Sequence, residues 1–177
     1  IISGGGVRYS LAEEVLGDFA QARGIPLCET IAGKGALLHE HPAYVGGIGV
    51  TGSASANAMA AEADVIVAIG TRLQDFTTGS WTSFKADAQF ISINAARFDA
   101  TKHRAISVVG DARESLREMD AALGDWSAPD TWMEKGRDEM AKWDSLIDEL
   151  QKPSNAHIPS YAQVIKVVQD NAKTEDL

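Results

Sequence analysis

The sequence predicts an α/β protein built on a parallel sheet, and two observations carry that prediction. Short β-branched apolar runs alternate along the chain with segments of helical period, the pattern of repeated strand–helix units. The run Asp64-Val65-Ile66-Val67-Ala68-Ile69-Gly70 is apolar without a break, as a central strand covered on both faces requires.

The elements follow in order. Ile1-Ile2 reads as the end of a buried strand, and Ser10-Leu11-Ala12-Glu13 as a capping box opening a helix. Leu11, Val15, Leu16 and Phe19 recur at helical spacing and are expected to face the sheet. Gly24 ends that helix, and Ile25-Pro26-Leu27-Cys28 is the next strand, with its proline at the start, where a missing amide is tolerated. Thr30 to Thr51 is glycine-rich and reads as a long loop with one short strand near Val45–Ile48. Ser53 to Glu62 is an alanine-rich helix, small-faced enough to lie close on a sheet. Gln89–Ile93 and Ala105–Val109 are further strands, and Asp111-Ala112-Arg113-Glu114 is a second capping box for a helix to about Leu123.

Gly124 to Asp130, with Pro129, reads as a linker. Thr131-x-x-Glu134 then caps a helix carrying Met140, Trp143, Ile147 and Leu150 on one stripe, broken by Lys152-Pro153-Ser154-Asn155. Ser160 starts a last helix with Tyr161, Val164, Ile165 and Val168 on one face, a docking surface with nothing in this sequence to cover it. The opening half-strand and this late start of a new unit predict a segment of a longer polypeptide.

Composition narrows the function classes. The 177 residues are 45% hydrophobic and 23% charged, which excludes disorder, and such a length can bury roughly 70% of its extended surface without a staple. The net charge of −9, with no Lys/Arg cluster, argues against nucleic acid and anionic membrane as partners. No apolar run approaches the ~20 residues that span a bilayer. The one cysteine, Cys28, rules out an internal disulfide and fits a reducing cytoplasm.

Candidate chemistry is sparse. Ser3-Gly4-Gly5-Gly6-Val7 lies between strand and helix, where amides hold a phosphate or simply make a tight turn; the dinucleotide fingerprint wants a glycine where Tyr9 stands. Glu29, at a strand end, stands where a ribose-binding acid belongs in such a fingerprint. Gly70-Thr71-Arg72 follows the central strand, with Arg72 placed either for a phosphate or for Asp75. His39-Glu40-His41 lacks the further ligands a zinc site needs, and His103 and His157 are isolated. Cys28 has no neighbouring base to activate it, and Ser53 and Ser55 lack the nucleophile-elbow glycines. Trp81, Trp126, Trp132 and Trp143 read as packing anchors at element junctions. No catalytic set and no metal site emerges.

A wider pattern does emerge. Gly33-Lys34-Gly35, His41-Pro42, Gly47-Ile48-Gly49-Val50-Thr51-Gly52, Ala63-Asp64, and Gly70-Thr71-Arg72 with Asp75 and Gly79 keep a specific order, joined by Gly4-Gly5-Gly6 and Val109-Gly110-Asp111. Over about residues 1–123 this resembles the central domain of thiamine-diphosphate-dependent enzymes of the acetolactate synthase group. The resemblance implies a six-stranded Rossmann-like central domain over 1–124, a linker with an amphipathic helix over 125–158, and the start of a cofactor-binding domain over 159–177. It also implies thiamine diphosphate and magnesium held by flanking domains of the same polypeptide, in a homodimer or homotetramer, with this segment itself not catalytic.

The stretches 47–52 and 70–80 look most like the branch of the group that hydrolyses a ring C–C bond of a trihydroxylated cyclic dione in inositol breakdown. The alternatives are a 2-oxo-acid decarboxylase or carboligase of the same group, and a stand-alone NAD- or FAD-binding module. Some members of the group bind FAD in this domain. The resemblance carries those contacts onto Gly4, Gly5 and Gly6, Thr30, Ile31 and Ala32, Gly49, Val50, Thr51 and Gly52, Gly70, Thr71 and Arg72, Asn94 and Ala95, and Gly110 and Asp111. Two departures stand out: Ser92 and Asn94 replace acids, and Phe76 replaces an arginine. The expectation is that FAD is not bound, or that only an ADP-like fragment binds weakly.

Overall fold

The computed structural model describes residues 1–154 and 157–173. Residues 1–123 form a six-stranded, wholly parallel sheet in the order β3-β2-β1-β4-β5-β6. The strands are β1 (Ile2–Ser3), β2 (Leu27–Glu29), β3 (Tyr44–Gly47), β4 (Val65–Ile69), β5 (Gln89–Asn94) and β6 (Ile106–Val109). The strand order reverses between β1 and β4, the switch point beside which ligands of open α/β sheets bind.

Among the described residues eight α-helices connect or follow the strands: α1 (Gly5–Tyr9), α2 (Glu13–Ala22), α3 (Ala54–Glu62), α4 (Asp75–Thr78), α5 (Arg97–Ala100), α6 (Ala112–Leu123), α7 (Asp130–Gln151) and α8 (Tyr161–Asn171). The two faces of the sheet carry separate cores, because alternate strand residues point to opposite sides. Leu27, Ile69 and Ile93 pack with Leu16 and Phe19 of α2 and Leu116 of α6. Ile2, Cys28, Ile66 and Ala68 pack with Ala56, Met59 and Ala60 of α3. Leu16 and Leu116 are fully buried, a gain of about 1.5–3 kcal/mol each over exposure.

Several sequence expectations are corrected. Ser10 does not cap α2: that helix starts at Glu13 behind Ala12, with no side-chain cap, while Ser10 closes the extra helix α1. Between them Leu11 takes a left-handed turn (φ 50°) and faces solvent instead of the sheet. β2 begins at Leu27, after Pro26, and α7 begins at Asp130, so Thr131 lies inside the helix. The long loop also holds a 3₁₀ turn at Ile31–Gly33, capped by the Thr30 hydroxyl. Asp111 does cap α6, but Glu114 bonds Arg117 rather than reaching back.

By internal contacts the chain divides into Ile1–Met140 and Ala141–Leu177. In the first unit, Gly136 of α7 gives close approach to Pro26 and Val45, where a Cβ would sit 3.1 Å from each. In the second, Ser160 and Gln163 form a reciprocal capping box at the start of α8. Tyr161, Val164, Ile165 and Val168 of that helix are exposed. Asn155, read as part of the break after α7, and residues 174–177 of the expected third segment lie outside the described residues. Among the described residues no helix is long and apolar enough to cross a membrane.

Candidate functional site: the carboxyl edge of the sheet

The residues singled out from sequence converge because parallel strands all end on one edge. Gly4, Thr30, Gly70 and Gly110 each follow the end of a strand, while Asn94 is the last residue of β5. Ile48 leads from β3 into Gly49–Gly52. Six turns therefore line one rim.

At the switch point the rim is closed by backbone on backbone. The Gly4 amide donates to the Ile69 carbonyl at 2.8 Å and the Gly6 amide to Gly70 at 2.9 Å. A Cβ on Gly6 would lie 2.6 Å from the Gly70 Cα, and one on Gly4 2.7 Å from the Thr71 Cα, so only glycine permits this contact. These two amides are thereby committed to protein carbonyls rather than to an outside anion.

Glu29 is the one buried carboxylate on the rim. It does not reach outward as a ribose-binding acid would. It accepts hydrogen bonds from the Tyr44 hydroxyl (2.8 Å), the Gly35 amide (2.8 Å) and Lys34 Nζ (3.2 Å). Burial, and then the bond to Glu29, push the Tyr44 phenol above its ordinary value. Arg8 holds the same loop from the other side through the Lys34 carbonyl at 3.0 Å. Neither residue's part in this clamp was legible in sequence, although Glu29 itself was singled out.

Further along, the Val50 amide donates to the Phe76 carbonyl at 2.9 Å, and Gly49 (φ +122°) would collide with that carbonyl if it carried a Cβ. The loops 49–52 and 70–80 are thus tied together. Asn94 spends its side chain locally, donating to the Thr71 carbonyl and accepting from the Ala96 amide. Arg72 is exposed and forms no ion pair with Asp75 among the described residues. Asp111 accepts from the Arg113 and Glu114 amides, and the Ser10 hydroxyl chiefly holds its carboxyl below the usual range. Ser3, buried on β1, leaves its hydroxyl without a partner.

Elsewhere the sequence candidates resolve as structure. His41 accepts from the Ala43 amide, His39 packs edge-on against Tyr44, and Cys28 is buried. No group of three His, Cys, Asp or Glu side chains is disposed to hold a metal among the described residues. Trp81 and Trp132 join the second core, whereas Trp126 is half exposed.

Residues 1–119 match the family described as thiamine pyrophosphate enzyme, central domain. The chain is 48% identical over 124 residues to a 3D-(3,5/4)-trihydroxycyclohexane-1,2-dione hydrolase of Clostridium perfringens, covering 70% of this chain and 19% of that protein. It is 46% identical over 126 residues to the protein of that name from Geobacillus thermodenitrificans, covering 71% and 20%. It is 39% identical over 151 residues to that from Clostridium botulinum, covering 85% and 24%. The chain therefore spans about a fifth to a quarter of the length of these relatives.

Proposed function

Because the chain belongs to the thiamine pyrophosphate enzyme central-domain family, we propose that it is the scaffold and interface domain of a hydrolase that opens a trihydroxycyclohexane-dione ring. The observation that carries this reading is a carboxyl-edge rim whose polar groups are tied to one another, in a chain similar to hydrolases of that name. Thiamine diphosphate, bound in the whole enzyme, supplies the ylid chemistry that opens a C–C bond beside a carbonyl.

This chain's own residues position rather than react. Gly4, Gly6 and Gly70 fix the turns at the switch point, and the Val50–Phe76 bond makes one ledge of two loops. Ile31, Val50 and Phe76 present exposed apolar groups there, suited to a neighbouring domain or to a channel that excludes water. Its partners in this reading are the flanking domains of the same polypeptide, in a cytoplasmic homodimer or homotetramer. Magnesium and thiamine diphosphate are then held outside this chain.

The rim does not suit a firmly held flavin nucleotide. The Asn94 side chain is engaged by Thr71 and Ala96, no carboxylate stands at the end of β5, and the Gly4 and Gly6 amides are occupied. FAD is therefore not retained, and a stoichiometrically yellow protein after adding FAD overturns that statement.

The test of the main reading supplies the full-length enzyme separately with the cyclic dione and with pyruvate. Consumption of the dione, with no turnover by residues 1–177 alone, supports it. Consumption of pyruvate alone assigns a decarboxylase or carboligase instead, and turnover by the isolated segment removes the scaffold role.

A further inference from the structure

The opposite edge of the sheet holds a cavity of about 510 Å³, a size ordinary for a small-molecule site. It lies at the amino ends of β5 and β6, between the segment 81–90 and the 3₁₀ turn Lys102–Arg104. Its walls carry three packed aromatic rings. Trp81 meets Phe84 at 5.7 Å and Phe90 at 5.3 Å between centroids, and Phe84 meets Phe90 edge-on at 5.2 Å. His103 lies over Trp81 at 3.9 Å, bridging the two loops.

Backbone strain gathers at the same place. Among the described residues six non-glycine residues have positive φ, and four of them belong to these loops: Ser80 (53°), Trp81 (68°), His103 (61°) and Arg104 (58°). Left-handed conformations are costly for such side chains and persist where surrounding structure enforces them, commonly at ligand clamps. Here they set Trp81 against His103 and bring Arg104 to the cavity wall.

The charges choose the ligand. Lys85 Nζ is committed to the Glu62 carbonyl at 2.6 Å. Arg104 makes no hydrogen bond or ion pair among the described residues, and Asp87 is the one carboxylate on the wall. The cavity therefore offers a wall of packed aromatic rings, a guanidinium without a partner among the described residues, and a net positive lining. We propose that this amino-edge cavity binds a planar aromatic ring bearing one anionic group, the ring against the Trp81–Phe84–Phe90 cluster and the anion on Arg104. Contact with the aromatic wall gives tolerance to ring type, and the guanidinium gives selectivity for the charge. The site is independent of the scaffold role proposed above.

Fluorine NMR of the chain labelled with 5-fluorotryptophan tests this, since its four tryptophans give four lines and Trp81→Phe assigns one. AMP and indole-3-acetate stand for the nucleotide and aryl-acid sources of the same chemistry, with adenosine and indole as neutral controls. The expected result is a saturable shift of the Trp81 line alone by at least one anion, about tenfold tighter than by its neutral counterpart. Arg104→Gln, an exposed change that leaves the other lines in place, is expected to abolish that tenfold difference. The anion that shifts the line names the source. The proposal is overturned if neither anion moves the Trp81 line at about 10 mM, or if adenosine and indole bind as tightly as AMP and indole-3-acetate.

Discussion

Arg23, at the end of α2, grips Asp120 of α6 through both side chain and backbone. Its Nε donates to Oδ1 at 2.7 Å, and Nη2 donates to the Asp120 carbonyl at 2.9 Å. The same guanidinium reaches the carbonyls of Gly124 and Trp126, so one side chain ties two helices to the start of the linker. Arg23 is mostly buried while Asp120 is half exposed, which makes the bonds to carbonyls worth more than the ion pair. Arg23→Ala is expected to cost about 1–3 kcal/mol. In a domain of this size each kcal/mol lowers the melting temperature by about 2–4 °C, so calorimetry reads the loss directly. Arg23→Lys should recover little, because an ammonium cannot match the planar fork.

The Glu29 clamp gives a local prediction. Glu29→Gln keeps the size but turns an NH₂ toward either Lys34 Nζ or the Gly35 amide, placing donor against donor. The expected loss is about 1–3 kcal/mol in urea unfolding, with faster hydrogen exchange at Gly35. Tyr44→Phe should cost less, because two of the three donors to the carboxylate remain. Unchanged exchange at Gly35 in the Gln variant would show that the carboxylate does not hold the loop.

Cys28 is silent in the folded state. Its thiol is buried, with Sγ 3.4 Å from the Ile1 carbonyl, and burial pushes its pKa up to about 11. A thiol reagent at neutral pH should therefore react only as fast as the chain opens. Because the folded value lies above the unfolded one, the protonated thiol favours the fold below about pH 8.5, and that contribution is lost as pH rises toward 11. Cys28→Ala should flatten the alkaline limb of a stability–pH curve. Rapid labelling of the native chain would place the thiol at the surface instead.

What the sequence made legible, and what it did not, follows from the range of the interactions. The Asp64–Gly70 run announces β4 because burial on both faces leaves a local mark, and Ser53 and Ser160 cap their helices as their own neighbours predict. Gly4, Thr30, Gly70 and Gly110 fall just after strands because the strands themselves are legible and parallel strands all end on one edge. Ser10 misleads because the serine-x-x-glutamate pattern is local, while its hydroxyl is claimed by Asp111 and the Ala112 amide, about a hundred residues away. The Arg23 hub and the Trp81–His103 contact join segments far apart in sequence, so no spacing signals them.

The Ser10–Asp111 contact supplies a test by pH. Asp111 caps α6 through two amides, and the Ser10 hydroxyl, the largest cause, lowers its pKa below the ordinary 3.8. The sign follows from linkage: a depressed folded value means stability that is present above the unfolded pKa and lost as pH falls through the folded one. Asp111→Ala should therefore lower the melting temperature near neutral pH, and the gap to the parent should narrow as pH falls below 3.8 and through the depressed folded value. Ser10→Ala should act in the same direction but more weakly, because it leaves the Arg113 and Glu114 amides in place on the carboxylate. A gap that stays constant from neutral to acid pH would show that the aspartate acts there by its shape and not by its charge.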